Sequence, residues 1–464
     1  MRTPVDSVDS SWLRMDDPTN LMVVTGVMVL DEPVAFEAVR DMLDTHLLTW
    51  PRFRQRIVEP TGGVGTPTWE TDPHFALTNH LQEVELDPPG DEGALQTFVS
   101  GLMSQPLNPA QPLWRFYFIP HYQGGSALAA RIHHCIGDGL ALTHVILSMA
   151  DGGPQAPPQP AEAAPEAGDG DHAGPWEAVA RAIGSAAEAA VSVPAGLLRK
   201  VSALLGDSER LSQTAAGLGT LGRLLMLEAD PRTRFKGKLV AEKKVAWSRA
   251  IPVADLKLLG RATGSTINDI LMACLAGSLR RYLVGRGETP APGLNVRGVV
   301  PVNLRPLEQA HELGNKFGLV FLSLPLGDDD PLDRLFEVRR RMAGLKSSPE
   351  AVVVYQLLKA FGVVPKAVFD LIVEYFGSKG TAVVTNVVGP REPISIAGVK
   401  MRQCMFWVPS AGRLGLGVSL LSYAGQVWLG IQSDAGLVPD PDRLLDGFYA
   451  EVDELASLKR AAES

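Results

Sequence analysis

The sequence of 464 residues is poor in the features that mark secreted, disulfide-stabilised and metal-binding proteins. Its three cysteines, Cys135, Cys274 and Cys404, are far apart and form no CxxC pair. This excludes a disulfide framework and indicates a reducing compartment. The N-terminal stretch MRTPVDSVDSSWLRMDD has no apolar core of the kind found in secretory signals. The nine histidines include no HExxH motif and no Cys/His cluster, so we expect no metal site.

Excess basic charge, long apolar runs and two common catalytic motifs are absent as well. The formal net charge is -9, whereas nucleic-acid binders carry a basic footprint, so no nucleic-acid partner is expected. No run of about 18 apolar residues predicts a transmembrane helix. The absence of G-x-S-x-G and of a phosphate-binding G-x-x-x-x-G-K-[ST] loop argues against a serine hydrolase of that type and against a P-loop enzyme.

Composition divides the chain into three segments. Residues 151–174, DGGPQAPPQPAEAAPEAGDGDHAG, are rich in Pro, Ala and Gly and lack aliphatic residues for a core, which is typical of a linker. A helix-prone, Ala-rich stretch follows from Trp176 to Leu205. We predict an N-terminal domain over residues 1–150, a linker with bridging helices over 151–240, and a C-terminal domain over 241–464.

Both outer segments alternate strand and helix patterns, which predicts an α/β fold with two halves of comparable size. The clearest strands before the linker cover residues 20–30, 113–120 and 126–134, and the last two are separated by the turn HYQGG. After the linker we predict a long helix with Ser265 or Thr266 as its N-cap and a hairpin that turns at Ala424-Gly425.

Two histidines and an Asp-Gly pair lie where a predicted strand passes into a helix, in RIHHCIGDGLAL. Neighbours on a strand point to opposite faces, so only one of His133 and His134 can face a given cleft. Gly137 and Gly139 let the backbone turn sharply and approach other groups closely, and Asp138 is suited to anchor the loop through a salt bridge. A buried histidine pair with Asp138 as the N-cap of the next helix explains the same residues, and both interpretations stay open at this point.

HHCIGDG has the HHxxxDG form of the CoA-dependent acyltransferase superfamily. Seven further segments, in this order, resemble the bacterial wax ester synthase/diacylglycerol acyltransferase family: SVDSSWLRMDDPTNLMVV, PRFRQRI, QPLNPAQPLWRFYFI, STINDILMACLAGSLRRYL, PVNLR, LGNKFG and VVTNVVGP. The resemblance implies an α/β fold of two chloramphenicol-acetyltransferase-like domains, which form a pseudo-dimer with the site in a tunnel between them. GNKFG and TNVVGP are expected to shape that tunnel or the crossover between the domains.

The resemblance also implies roles for the motif residues. His134 would be the general base, with His133 beside it as a further site residue. Asp138 would pair with Arg305 of PVNLR and hold the loop, and Gly139 would belong to the same structural set.

Asn268 and Asp269, from STINDILMA, are implied to lie near the site, where Asn268 would orient or stabilise the reacting groups. The alternative is that both simply occupy the first turn of a helix, where Asn and Asp are favoured. Trp114 of the PLW signature is expected to pack rather than react. Cys135 is a candidate nucleophile that side-chain alternation points away from His134.

The activity implied by the resemblance is transfer of a fatty acyl group from acyl-CoA to a long-chain alcohol or a diacylglycerol, which yields wax ester or triacylglycerol. Acyl-CoA would be a co-substrate, with no other cofactor. Two alternatives stay open: the same fold acting on another lipid or polyketide-type alcohol, and a non-catalytic lipid-binding homologue. We expect a monomer or weak dimer in the cytoplasm.

Contact with the inner membrane or with lipid inclusions is left open by the apolar stretch from Val352 to Gly377. With Lys359 and Lys366 sparsely placed, this stretch fits either an amphipathic surface contact or a pair of core helices broken at Pro365.

Overall fold

The part of the chain that the structure describes contains eleven α-helices and sixteen strands, whose positions follow the apolar periodicity of the sequence. The structure, a computed structural model, describes residues 2–60, 65–154, 211–306, 309, 312–362, 366–410 and 412–463. The α-helices are α1 (Ser7–Arg14), α2 (Phe36–Thr45), α3 (Glu92–Met103), α4 (Gly139–Ser148), α5 (Leu211–Met226), α6 (Val253–Thr263), α7 (Ile267–Gly285), α8 (Pro331–Lys346), α9 (Glu350–Phe361), α10 (Lys366–Gly377) and α11 (Asp442–Glu463). Short 3-10 helices cover Leu47–Thr49, Pro51–Arg54 and Leu77–Asn79.

The strands are β1 (Arg2–Pro4), β2 (Val23–Leu30), β3 (Gln55–Val58), β4 (Thr68–Thr71), β5 (Leu81–Glu83), β6 (Trp114–Tyr122), β7 (Gly125–His133), β8 (Lys243–Trp247), β9 (Ile251–Pro252), β10 (Asn295–Asn303), β11 (Phe317–Pro325), β12 (Ala382–Val388), β13 (Ser395–Ile396), β14 (Val399–Trp407), β15 (Leu416–Tyr423) and β16 (Gln426–Asp434). They form two large sheets and a small one of order β1-β4-β3.

The N-sheet has the strand order β13-β14-β2-β7-β6-β5. All nine residues of β7 are buried, because both faces of this central strand are covered. Alternating residues of β2 enter different cores. Met28 and Leu30 pack in one core, while Val27 and Val29 pack in another with α3. Because both faces are covered, residues on both sides of β2 and β7 can be apolar, and the two strands appear in the sequence as nearly continuous apolar runs.

The C-sheet has the order β11-β10-β12-β15-β16-β8, with β9 paired to β16. The hairpin β15–β16 turns at Ala424 and Gly425, whose φ values are 48° and 76°, so the predicted turn is confirmed. Helix α7 begins with a capping box between Thr266 and Asp269. Of the two predicted N-caps, Thr266 is therefore the one that the chain uses.

One hairpin of the second half belongs to the N-sheet. Strand β14 pairs antiparallel with β2, with Cys404 opposite Met28, and β13 pairs with β14 at the sheet edge. The α/β class and the two-domain architecture are confirmed. The domain boundaries predicted at 1–150, 151–240 and 241–464 stay a prediction. Strands β13 and β14, which come late in the chain, belong to the N-sheet, so the two sheets do not correspond to two continuous segments of the chain.

The predicted linker over 151–174 and the helix-prone stretch from Trp176 to Leu205 lie almost wholly outside the described residues. Asp151, where the linker begins, is anchored to the crossover hairpin. Its N–H donates to the carbonyl of Ser395 at 2.8 Å, and its carboxylate accepts from the Gly398 N–H at 2.9 Å.

The apolar stretch from Val352 to Gly377 forms most of α9 and α10. Its large side chains pack with Val8 and Trp12 of α1 in one core, and they include Val353, Val354, Leu357, Leu358, Phe361, Phe369 and Ile372. This confirms the interpretation as core helices, although Val352 itself is exposed. The described helices include none whose length and apolar character would let it cross a bilayer.

Candidate active site

The two histidines of the motif leave the end of β7 on opposite sides, as strand alternation requires. His134 extends the pairing with the segment before β2, because its N–H donates to the carbonyl of Met22 at 2.8 Å. Its ring lies on a cavity between the two sheets. His133 is not among the residues that line this cavity.

The imidazole of His134 is enclosed by groups from two distant parts of the chain, helix α1 and the segment that leads into β11. Trp12 of α1 stacks on it, with ring centroids 4.6 Å apart and an interplanar angle of 17°. Phe317 of β11 lies 5.6 Å away between centroids. Asn315, just before β11, places its Oδ1 at 2.9 Å from His134 Nδ1. Only 8% of the residue is exposed, so the ring is held rather than free to rotate.

The amide of Asn315 determines which ring nitrogen carries the proton. Its Nδ2 donates to the carbonyl of His134 at 2.7 Å and to Asp9 Oδ1 at 2.9 Å. Since both amide hydrogens are used, Oδ1 is the acceptor that faces the ring, and His134 Nδ1 must donate to it. The other ring nitrogen, Nε2, therefore carries the lone pair in the neutral imidazole.

Burial lowers the pKa of His134, although a hydrogen bond to its own backbone, the charge of Asp138 and the hydrogen bond to Asn315 act in the opposite direction. The charged form is disfavoured because a desolvated imidazolium loses its hydration. The ring is consequently neutral near pH 7, and Nε2 is available as a proton acceptor.

Asp138 fulfils both roles considered for it. Its Oδ1 accepts from the Ala141 N–H at 2.9 Å and caps α4. Its Oδ2 accepts from Arg305 Nη2 and from the Lys316 N–H, each at 3.0 Å. Arg305 also donates to the carbonyl of Gly314. The predicted pair of Asp138 and Arg305 is thus confirmed, and it links the motif loop to the loop that carries Asn315.

The expected turn lies at residues 134–136, and Gly137 makes the close approach, as a bridge to Gly314; Gly139 is the first residue of α4. Gly139 lines the cavity, and a Cβ built on it would lie 3.7 Å from Val387 of β12, which is an ordinary van der Waals contact.

The cavity beside His134 has a volume of about 460 Å³ and an almost entirely apolar lining. From the N-sheet side it is lined by Met28, Phe116 and Cys404, and from the C-sheet side by Leu319, Phe321 and Val383. Phe317 and residues Thr385 to Pro390 also line it. GNKFG and TNVVGP therefore contribute to its walls, as expected.

Cys135 and His133 lie outside this cavity. Cys135 packs in the core of the N-sheet, where burial raises the pKa of its thiol well above the usual value, so it does not supply a thiolate. Burial and the neighbouring His134 lower the pKa of His133 to about 3. Its Nδ1 accepts from the Cys135 N–H at 3.1 Å, which holds it as a neutral residue of the strand end.

Asn268 and Asp269 lie at the start of α7 and do not line the cavity. Asp269 completes the capping box, which agrees with the alternative that it belongs to the first helical turn. Asn268 Oδ1 accepts from Asn386 Nδ2 at 2.6 Å, and Asn386 does line the cavity. The direct role of Asn268 toward reacting groups stays a prediction, since its contact with the cavity passes through Asn386.

Trp114 packs, as predicted. It is 1% exposed, its Nε1 donates to the carbonyl of Phe53 at 2.8 Å, and its ring stacks on His80. Among the residues that the structure describes, no three His, Cys, Asp or Glu side chains converge as metal ligands.

Sequence reasoning missed Asp9, Trp12 and Asn315. All three lie in the quoted segments SVDSSWLRMDD and LGNKFG, but nothing local marks them as neighbours of a histidine more than a hundred residues away. The one signal available in the sequence was Asp9, an acidic residue beside the apolar positions of an amphipathic first helix.

Two family models together match most of the chain. The model of the wax ester synthase/diacylglycerol acyltransferase catalytic domain matches residues 5–271, and the model of the WS/DGAT C-terminal domain matches residues 313–456. The probable diacylglycerol O-acyltransferase tgs1 of Mycobacterium tuberculosis is 26% identical over 469 aligned positions, which cover 98% of this chain and 96% of that protein.

Solved structures share the fold. The wax ester synthase/diacylglycerol acyltransferase from Marinobacter aquaeolei VT8 superposes with a TM-score of 0.69 at 22% identity, covering 98% of this chain and 99% of that one. The first condensation domain of the calcium-dependent antibiotic synthetase gives a TM-score of 0.60 at 16% identity, with coverage of 99% and 96%.

Replacement of Asp138 by Asn should lower the free energy of unfolding, and its effect on turnover should be the smaller one. The change leaves the buried Arg305 guanidinium without its carboxylate, and breaking such a pair costs about 3–5 kcal/mol. Denaturant unfolding measures the loss. A variant with wild-type stability and abolished turnover would show that Asp138 acts in the chemistry.

Replacement of His133 by Asn should make stability less sensitive to acid. The pKa of His133 is about 3 in the folded protein against 6.5 ordinarily, so the unfolded chain binds an extra proton between these pH values. Its contribution to stability therefore falls as the pH drops from about 6.5 toward 3.

The variant lacks this group, so the difference in unfolding free energy between wild type and variant should change over this pH window. Asp9, whose raised pKa of about 6 gives the opposite sign, is common to both proteins and cancels. A constant difference from pH 7 to pH 4 would contradict the neutral, buried state of His133.

Proposed function

The chain belongs to the wax ester synthase/diacylglycerol acyltransferase family, and on that premise we propose that it transfers a fatty acyl group from acyl-CoA to a long-chain alcohol or a diacylglycerol. The products are a wax ester or a triacylglycerol, together with free CoA. The observation that carries the proposal is the neutral His134, whose Nε2 lone pair is available beside an apolar cavity.

The size and lining of the cavity support substrates with hydrocarbon chains. Its volume of about 460 Å³ lies within the roughly 300–1,000 Å³ of small-molecule sites. Hydrocarbon chains gain free energy when they leave water for such a lining. Side chains from both sheets form the walls beside His134, so a bound chain would contact both halves of the protein.

His134 acts as the general base. Its Nε2 removes the proton of the acceptor hydroxyl while the oxygen attacks the thioester carbonyl carbon. A base positioned in this way contributes about 10²–10⁴ in rate. The tetrahedral intermediate then expels the CoA sulfur, the ester remains, and the imidazolium returns its proton to the thiolate.

The negative charge on the tetrahedral oxygen requires hydrogen-bond donors. Asn386 lies on the cavity lining and is suited to this task, whereas the amide of Asn303 is paired with the backbone of Arg305; a donor of this type is worth about 3–4 kcal/mol. Asn268, which contacts Asn386, orients that amide in this scheme. Acyl-CoA enters as a co-substrate, and no other cofactor takes part in the proposed steps.

The rim of the cavity is suited to lipid delivery. Val388, which belongs to its lining, is 76% exposed, so an apolar side chain faces solvent where a chain would enter. This supports contact with a membrane or lipid inclusion, which we retain as a proposal together with a monomeric or weakly dimeric state in the cytoplasm.

Replacement of His134 by Ala should lower acyl transfer by about 10²–10⁴-fold, because the hydroxyl then lacks a proton acceptor. Release of CoA from palmitoyl-CoA, with hexadecanol or a diacylglycerol as the acceptor, measures the reaction. His133→Asn is the matched control and should retain most of the activity. Equal turnover by wild type and His134→Ala would refute the assignment.

A further inference from the structure

Asp9 of helix α1 contacts Asn315, the residue that holds the proposed base in place. We infer that Asp9 and Asn315 are positioning residues that together keep the proton of His134 on Nδ1 and leave Nε2 free to accept one. The inference rests on the proposed function only in that His134 is the base whose state is controlled.

The carboxylate of Asp9 is shared between two partners on opposite sides. Oδ1 accepts from both the backbone N–H and the side-chain Nδ2 of Asn315, each at 2.9 Å. Oδ2 lies 3.3 Å from Arg52 Nη1. Asp9 is 1% exposed, so water does not substitute for either partner.

Only a carboxylate satisfies both sides at once. Asn315 presents two N–H donors and Arg52 presents another, so the residue between them must accept on each oxygen. An asparagine at position 9 would have to turn its NH₂ group toward one of these donors, because an ionised carboxylate is acceptor-only whereas an amide is not.

The contact to Asp9 also selects one of the two orientations of the Asn315 amide. Nδ2 of Asn315 faces Asp9 Oδ1 and the carbonyl of His134, which are both acceptors. A flipped amide would set its oxygen against these acceptors and its NH₂ against Nδ1 of the ring. In that orientation Nδ1 would have to accept, and the proton would move to Nε2, where it would block general-base chemistry.

Several charged and titratable groups surround this chain of contacts, and Cys135 and Tyr355 both interact electrostatically with Asp9. Asp6, exposed at the N-cap of α1, and Arg52 lie near Asp9. His133 and Asp138 lie near His134. Burial raises the pKa of Asp9 to about 6, against the lowering effect of Arg52, so the carboxylate is ionised at neutral pH and can serve as the double acceptor.

The loop of Asn315 is built to approach Asp9. Gly314 has a φ of 99°, and a Cβ on it would lie 3.2 Å from Asp9 Oδ2. The same loop is anchored by Arg305, through the carbonyl of Gly314, to Asp138 of the motif. Helix α1, the motif loop and the segment before β11 therefore meet at the Asn315 amide.

The direct test is the tautomer of His134, read from the ¹⁵N chemical shifts of its ring nitrogens and assigned by comparison with His134→Ala. Wild type should carry the proton on Nδ1. Asp9→Asn should shift population toward Nε2–H, whereas Asp6→Asn, which removes the same charge from the same helix and can still cap it, should not. Identical tautomers in wild type and Asp9→Asn would overturn the inference.

Activity supplies a second, independent test in the full-length protein. Loss of the partners that orient metal-ligating histidines costs about 10–100-fold. By analogy we expect Asn315→Ala to lower kcat about 100-fold and Asp9→Asn about tenfold, with KM for palmitoyl-CoA nearly unchanged. Because Asp9 acts through Asn315, adding Asp9→Asn to Asn315→Ala should cause no further loss.

Two results would show that Asp9 only anchors α1. One is a double variant whose loss of kcat is the product of the two single losses, and the other is an Asp9→Asn variant that melts at a lower temperature but keeps its kcat. The two proposals fail differently. A wild type without acyl transfer would refute the proposed function, and the tautomer comparison would still decide the role of Asp9.

Discussion

The hydrogen bond from His134 Nδ1 to Asn315 Oδ1 is the interaction on which the rest of the site depends. A buried imidazole has two nitrogens, and only one can hold the proton in the neutral ring. Burial keeps the ring neutral by lowering its pKa, but burial alone does not choose the nitrogen. The amide makes that choice, because both of its hydrogens are committed to other acceptors.

The hydrogen bond between His134 and Asn315 joins the two halves of the protein. The base directly follows strand β7 of the N-sheet, while Asn315 precedes a strand of the C-sheet, so the amide and the ring meet only when both sheets are in place. The ion pair of Asp138 and Arg305 holds the two loops at this distance. The exchanged strand β14 adds main-chain pairing to β2, so the N-sheet itself contains part of the second half of the chain.

Local sequence patterns predict most of the helices and strands but only part of the site. Strand β7, helix α4 and the hairpin at Ala424 and Gly425 follow from alternation, apolar runs and turn residues that are contiguous in the sequence. Strand β14 was not predicted, because its register depends on β2, more than 350 residues away. The pair of Asp138 and Arg305 came from family resemblance. Asp9 and Asn315 were missed because their meaning lies in contacts between distant segments.

The central claim is that an acceptor hydroxyl reaches Nε2 of His134 inside the cavity between the sheets. A crystal structure with a thioether analogue of palmitoyl-CoA and hexadecanol tests it most directly. The account predicts the hydroxyl oxygen at hydrogen-bond distance from Nε2, about 2.6–3.2 Å, with Nδ1 still facing Asn315 and the alkyl chains within the cavity. Chains bound elsewhere, or a hydroxyl that does not contact Nε2, would contradict it.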